Sequence, residues 1–214
     1  MESVTADSSS ETERLLQSVA DGDHQSWGTL LIRHEERLRR MVAYRMDRRL
    51  QGRIDPQDVI QDAYLEASQH RAEFLRQPAR PFFLWLRGIV GNKLLELHRH
   101  HLGTQMRDAG REVSLYRGSL PQASSAALAA QLLGRFTTAS PAPIRVERQL
   151  REVLNGLNEL DREILALRHF EGLTNGEAAQ ELGLSKTAAN KRSIRARGRL
   201  RDLLGRVLGF FDQE

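Results

Sequence analysis

Between Ser185 and Arg206 stand eight basic side chains, Lys186, Lys191, Arg192, Arg195, Arg197, Arg199, Arg201 and Arg206, against one acid, Asp202. Like charges at this density repel one another along a helix unless a polyanion lies beside them, so the chemistry on offer is recognition of phosphates. Asn190, Thr187 and Ile194 sit among the cations. Asn and Arg can make paired hydrogen bonds to base edges, a hydroxyl can join them, and an isoleucine can meet a thymine methyl. Lys186, Thr187, Asn190, Lys191, Ile194 and Arg195 are therefore candidate base-reading residues, and Arg201, farther along, suits a phosphate.

Two further groupings could do chemistry of this kind. In PFFLWLRGIVGNKLLELHRHH, the rings of Phe82, Phe83 and Trp85 precede Arg87, Asn92, Lys93 and Arg99. Aromatic rings beside cations are what stacking on unpaired bases requires. The same segment carries a stripe at helical spacing, Phe83, Leu86, Val90, Leu94 and Leu97, so Phe83 and Trp85 are expected in a core. In DPQDVIQDAYLEA, the residues Asp58, Gln61, Asp62 and Leu65 share one helix face. Acids, an amide and an exposed leucine make a docking surface, although an ordinary solvated face accounts for the same pattern.

Metal and catalytic chemistry find less support. His98, His100 and His101 lie one and two residues apart, a spacing that does not converge on a point, and there is no HExxH motif. They are expected to extend the basic face, whereas His34, in register with Trp27 and Leu38, is expected to be partly buried and hydrogen-bonded. No Gly-rich phosphate loop or paired-carboxylate pocket is legible, so neither an enzyme nor a cofactor or metal is expected.

The elements that must position these residues are all helical. Apolar residues recur at helical spacing in Trp27, Leu31, Leu38, Met41 and Val42, and again in Ile60, Ala63, Ala67 and Phe74, with no run of alternation. Asp55 and Pro56 signal a helix start after Gly52, and Pro81 signals another. Leu157, Leu160, Ile164 and Leu167 form a stripe ending at Phe170 and Gly172, after which Thr174 can cap GEAAQEL. Gly183 supplies a left-handed turn and Ser185 a second cap, which together spell a helix-turn-helix. In the last helix Ala189, Ser193, Ala196, Leu200, Leu203 and Val207 share one face, leaving the candidate readers on the other.

Composition divides the chain. The 214 residues carry a net charge of +4, yet Glu2, Asp7, Glu11, Glu13, Asp21 and Asp23 cluster at one end and the cations at the other. The stretch SLPQASSAALAAQLLGRFTTASPAP reads as linker, with a helical turn around Leu128 to Leu133. The expected organisation is a disordered acidic N-terminus at 1–12, a helical domain at 13–112, a linker at 113–144 and a helix-turn-helix domain at 145–214. Cysteine is absent and no apolar run reaches the ~20 residues of a membrane span, which together indicate a soluble, cytoplasmic protein without membrane insertion.

Taken in order, DPQDVIQDAYLEA, FFLWLRGIVGNKLLELHRH and LRHFEGLTNGEAAQELGLSKTAANKRSIRAR make the chain resemble, from about Leu15 onward, the extracytoplasmic-function sigma factors of bacterial RNA polymerase. The resemblance implies an alternative sigma factor that directs core polymerase to promoters and helps melt them. It implies core RNA polymerase and promoter DNA as partners and admits an anti-sigma factor. Asp58, Gln61, Asp62 and Leu65 would dock on the polymerase's clamp helices, Arg87, Asn92, Lys93 and Arg99 would lie along the melted element, and Lys186, Asn190, Lys191, Ile194 and Arg195 would read the upstream element. Ser193 and the pair Ala188-Ala189 depart from the family's usual large apolar and Thr-Val residues, and LGTQMRDAGREVSL is longer than the family needs. A freestanding helix-turn-helix regulator is the alternative reading, and a DNA recombinase a third.

Overall fold

The structure, a computed structural model, describes residues 2–47, 49–102, 152 and 154–208. It divides into two compact units, Met1–Pro121 and Gln122–Glu214. The dividing point falls within the expected linker, which itself lies outside the described residues, as do the turn expected around Leu128 to Leu133 and all but the first residue of LGTQMRDAGREVSL.

The first unit contains α1 (Glu2–Ala20), α2 (His24–Arg45), α3 (Pro56–Gln69), α4 (Arg71–Arg76) and α5 (Phe82–Leu102). The start at 1–12, expected to be disordered, is instead helical from Glu2. Its anchors explain the difference: Leu15 and Val19 are buried, α1 packs on α2, and the Thr12 hydroxyl lies 3.5 Å from His34 Nε2. Asp23 caps α2 by accepting from the Gln25 N–H at 2.9 Å. Gly52, at φ 88°, turns the chain as only glycine does readily, and Asp55 then caps α3 ahead of Pro56.

Leu30, Leu38, Met41 and Val42 of α2, Ile60 and Ala63 of α3, and Leu86, Val90 and Leu94 of α5 are fully buried together. Each large apolar side chain so buried contributes on the order of 1.5–3 kcal/mol. Beside them lies an aromatic cluster in which Phe74 and Trp85 stack at 4.5 Å and Trp27 meets Phe82 edge-on at 5.6 Å. Trp27 Nε1 donates to Ser68 Oγ at 3.0 Å and Tyr64 Oη donates to the Leu31 carbonyl at 2.9 Å, so the polar ends of both rings are satisfied.

The second unit contains α6 (Glu159–Leu165), a π-helical turn (Ala166–Phe170), α7 (Asn175–Leu182) and α8 (Lys186–Leu208). Asn158 caps α6, accepting from the Asp161 N–H at 2.7 Å. Leu157, Ile164 and Leu167 of the expected stripe are buried, as is Phe170 at its end, while Leu160 is half-buried; Leu154 and Leu173 join the core. Thr174 and Glu177 form a reciprocal capping box on α7, with bonds of 3.1 and 2.7 Å. No strand is present among the described residues, and the all-α expectation holds.

Candidate nucleic-acid interface

Gly183 adopts the left-handed conformation at φ 63°, and the Leu184 N–H donates back to the Ala179 carbonyl at 2.9 Å. Ser185 then caps α8 by accepting from the Ala188 N–H at 3.1 Å. The turn seats α8 across α6 and α7 on small residues: Ala178, Ala179, Ala189, Ser193 and Ala196 are all buried. Ser193, where the family usually carries a large apolar side chain, thus faces the core in a close helix crossing.

The opposite side of α8 is open. Lys186, Thr187, Asn190, Lys191 and Arg195 are exposed and Ile194 is 53% exposed. Arg201 is also exposed, 3.9 Å from Asp202. The structure therefore brings the candidate reading residues onto one accessible face, and Asn175 Nδ2 donates to Asn190 Oδ1 at 3.2 Å, restraining that amide.

One residue of this unit carries no functional signal in the sequence. Asp161, on α6, is 2% exposed, and its carboxylate accepts from Arg192 Nη1 at 2.9 Å and from Arg199 Nη1. Two of the eight cations counted along α8 are therefore held against α6. The separations of 31 and 38 residues explain why local spacing could not show it.

In the first unit, α3 buries Val59, Ile60, Ala63 and Ala67 and exposes Asp58, Gln61 and Asp62, with Leu65 66% exposed. The polar face read from the sequence is thus on the surface, and its apolar member stands open.

On α5 the expected set separates. Asn92 and Arg99, two turns apart, are exposed. Lys93 is half-buried, its Nζ 2.7 Å from Glu66 of α3 and 3.4 Å from Glu96, and the Glu66 hydrogen bond raises its pKa above the ordinary lysine value. Arg87 is 2% exposed, which corrects its placement on a strand-holding face: it lies four residues after Phe83 and three before Val90, inside the core stripe. Phe82 and Phe83 are buried, and Trp85 packs on Phe74, so these rings serve the core. His98 is also buried, four residues after Leu94, and does not extend the basic face. Its Nε2 accepts from the Asp47 N–H at 3.2 Å, and burial lowers its pKa below the usual imidazole value. His100 and His101 remain exposed, as the basic-face reading requires.

The family model described as ECF sigma factor matches residues 9–205. CnrH, an RNA polymerase sigma factor of Cupriavidus metallidurans, is 30% identical over 203 residues, covering 91% of this chain and 95% of that protein. RfaY of Xanthomonas campestris pv. campestris, named a probable RNA polymerase sigma factor, is 32% identical over 148 residues, or 69% of this chain, but the match spans only 34% of RfaY. A solved structure of CnrH in complex with the cytosolic domain of CnrY superposes with a TM-score of 0.51 at 27% identity, covering 91% of this chain and 97% of that one. A helix-turn-helix with an open basic face, preceded by a helical unit with an exposed acidic face and matched over most of its length by the family model, places this chain in the ECF sigma factor family.

Proposed function

We propose that this sigma factor docks on core RNA polymerase through the exposed face of α3, reads an upstream promoter element with α8, and holds the opened strand along the exposed side of α5. The observation that carries the reading is the sorting of α8: Ala189, Ser193 and Ala196 are buried, while Lys186, Asn190, Lys191, Ile194 and Arg195 face outward. A helix so sorted can enter a major groove, with its first turns at base edges and Arg201 at the phosphates. For α5 the supporting residues are Asn92 and Arg99, with Lys93 beside them; Arg87 drops out on burial.

CnrH was solved with the cytosolic domain of CnrY, and by that likeness a protein partner belongs to the proposal, an anti-sigma factor being the kind that the sequence resemblance admits. The protein acts in the cytoplasm as an initiation factor without catalysis of its own. No helix among the described residues is long and apolar enough to cross a membrane. A freestanding helix-turn-helix regulator would leave the α3 and α5 surfaces without a role, and family membership does not favour it.

The test is reconstitution of the full chain with bacterial core polymerase on a library of random promoter sequences, followed by mapping of transcript starts. Starts that depend on the chain and share an upstream element are expected. If the chain yields no starts beyond those of core polymerase alone, the proposal fails.

A further inference from the structure

Arg192 and Arg199 lie seven residues apart on α8, two turns along one side, and both reach the same carboxylate. Asp161 is almost wholly buried, whereas the two arginine side chains keep 35% and 56% of their exposure. They border a cleft of about 410 Å³ that Ser185, Thr187, Lys191 and Arg195 also line, so they stand next to the reading surface. Without Asp161 they would be two more mobile cations within reach of a nucleic-acid backbone.

Phosphate contacts and base contacts have opposite consequences for selectivity. Each phosphate neutralised strengthens binding to every sequence alike, whereas base-edge contacts separate one sequence from another. A helix with all its cations free would hold any duplex well. Restraining two of them lowers the indiscriminate part of the grip and leaves Asn190, Ile194 and Arg195 to decide. One acid serving two arginines also leaves the ion cluster with a positive excess, so the surface still attracts a polyanion.

We infer that Asp161 is a positioning residue for promoter selection: its carboxylate holds Arg192 and Arg199 against α6 and away from phosphates, raising the discrimination of α8 between sequences. The inference rests on the assignment of α8 as the DNA-reading helix. It reaches beyond that assignment because Asp161 touches no DNA and acts only through the arginines.

The test uses the full chain assembled with core polymerase, a duplex that the wild-type holoenzyme selects from a random pool, and a scrambled duplex of equal length. Binding is measured from low to high salt for the wild type, for Asp161→Asn, and for the triple variant Asp161→Asn, Arg192→Gln, Arg199→Gln. With the carboxylate gone, the freed arginines are expected to tighten binding to the scrambled duplex and to steepen the slope of log K against log salt by up to about 1.8, from a contribution of about 0.9 for each arginine. The ratio of selected to scrambled affinity is expected to fall. The triple variant is expected to return the slope to the wild-type value.

A merely structural role would weaken both duplexes and leave the slope unchanged or shallower, and that result overturns the inference. So does a triple variant whose slope is shallower than the wild type's, since the arginines would then already contact phosphates. If the wild-type holoenzyme separates no sequence from the pool, the reading of α8 fails first and the inference falls with it.

Discussion

Asn190 and Arg195 share the exposed side of α8 and differ from Arg201 in what they can be asked to do. An amide or a guanidinium at a base edge forms paired bonds that a wrong base leaves unmade, so Asn190→Ala or Arg195→Ala is expected to relax preference at one position each. The expected size is about 1–3 kcal/mol per contact, read by binding to single-base variants of the selected duplex. Arg201→Ala is expected to weaken all duplexes alike and to reduce the salt slope by about 0.9. Uniform losses in all three variants would mean that the helix grips the backbone and reads nothing. The residues involved were legible because α8 alternates small core residues with long polar ones at helical spacing. Charge alone puts Arg87 and His98 on a basic face, and register does not. Their positions relative to Phe83, Val90 and Leu94 put them on the core stripe, and the structure follows the register. Asp161 was beyond reach of local spacing, since its partners lie on another helix.

The helices themselves were legible where a cap or a glycine marked their ends, as at Asp55, Thr174, Gly183 and Ser185. The part of α1 up to residue 12 does not read as helix because its turns hold serines and acids with little apolar pattern, and the points that fix the helix, Thr12, Leu15 and Val19, depend on α2. His34 of α2 lies beside Thr12 of α1 and 5.5 Å from the rings of Phe82 and Phe83 at the start of α5. Burial, with smaller contributions from Arg37 and Arg33, lowers its pKa from 6.5 to about 4. The folded state therefore keeps it neutral while the unfolded chain protonates it. Stability from this group is complete above pH 6.5, declines as the pH falls through that window, and is lost below about 4. At 1.36 kcal/mol per unit the loss is about 3 kcal/mol. Urea unfolding of wild type and His34→Gln at pH 7 and pH 4 is expected to show a smaller acid loss in the variant by roughly that amount; equal losses would mean that His34 is not held neutral. For α3, Asp58→Lys with Asp62→Lys reverses the sign of its exposed face without touching Val59, Ile60 or Ala63. Association with core polymerase is expected to disappear while helical content by circular dichroism stays the same. Co-purification of the double variant at wild-type levels would remove α3 from the docking role.

At the scale of the whole molecule, a duplex reader and an initiation factor differ in what the second surface must accomplish. Recognition of a duplex by α8 gains nothing from Asn92 and Arg99 on α5, whereas initiation requires that an opened strand be trapped. Opening forfeits stacking of ~1.4 kcal/mol per step as well as pairing, so contacts to splayed bases and their phosphates must offset several kcal/mol over a short bubble. Asn92 and Arg99 are the exposed candidates on one side of α5. Lys93 is a poorer choice for a test, because its ion pair with Glu66 also ties α5 to α3, and its removal would mix the proposed strand capture with the seating of α3, the proposed docking helix. The double variant Asn92→Ala, Arg99→Ala is therefore expected to bind core polymerase and the upstream duplex as the wild type does, yet to yield far fewer permanganate-reactive thymines in the promoter complex. A promoter supplied with a pre-melted bubble is expected to restore part of the lost transcription, since the opening cost is then already met. If the variant opens duplex promoters at the wild-type level, the exposed side of α5 is only a solvated face, and the melting role must be sought elsewhere in the chain.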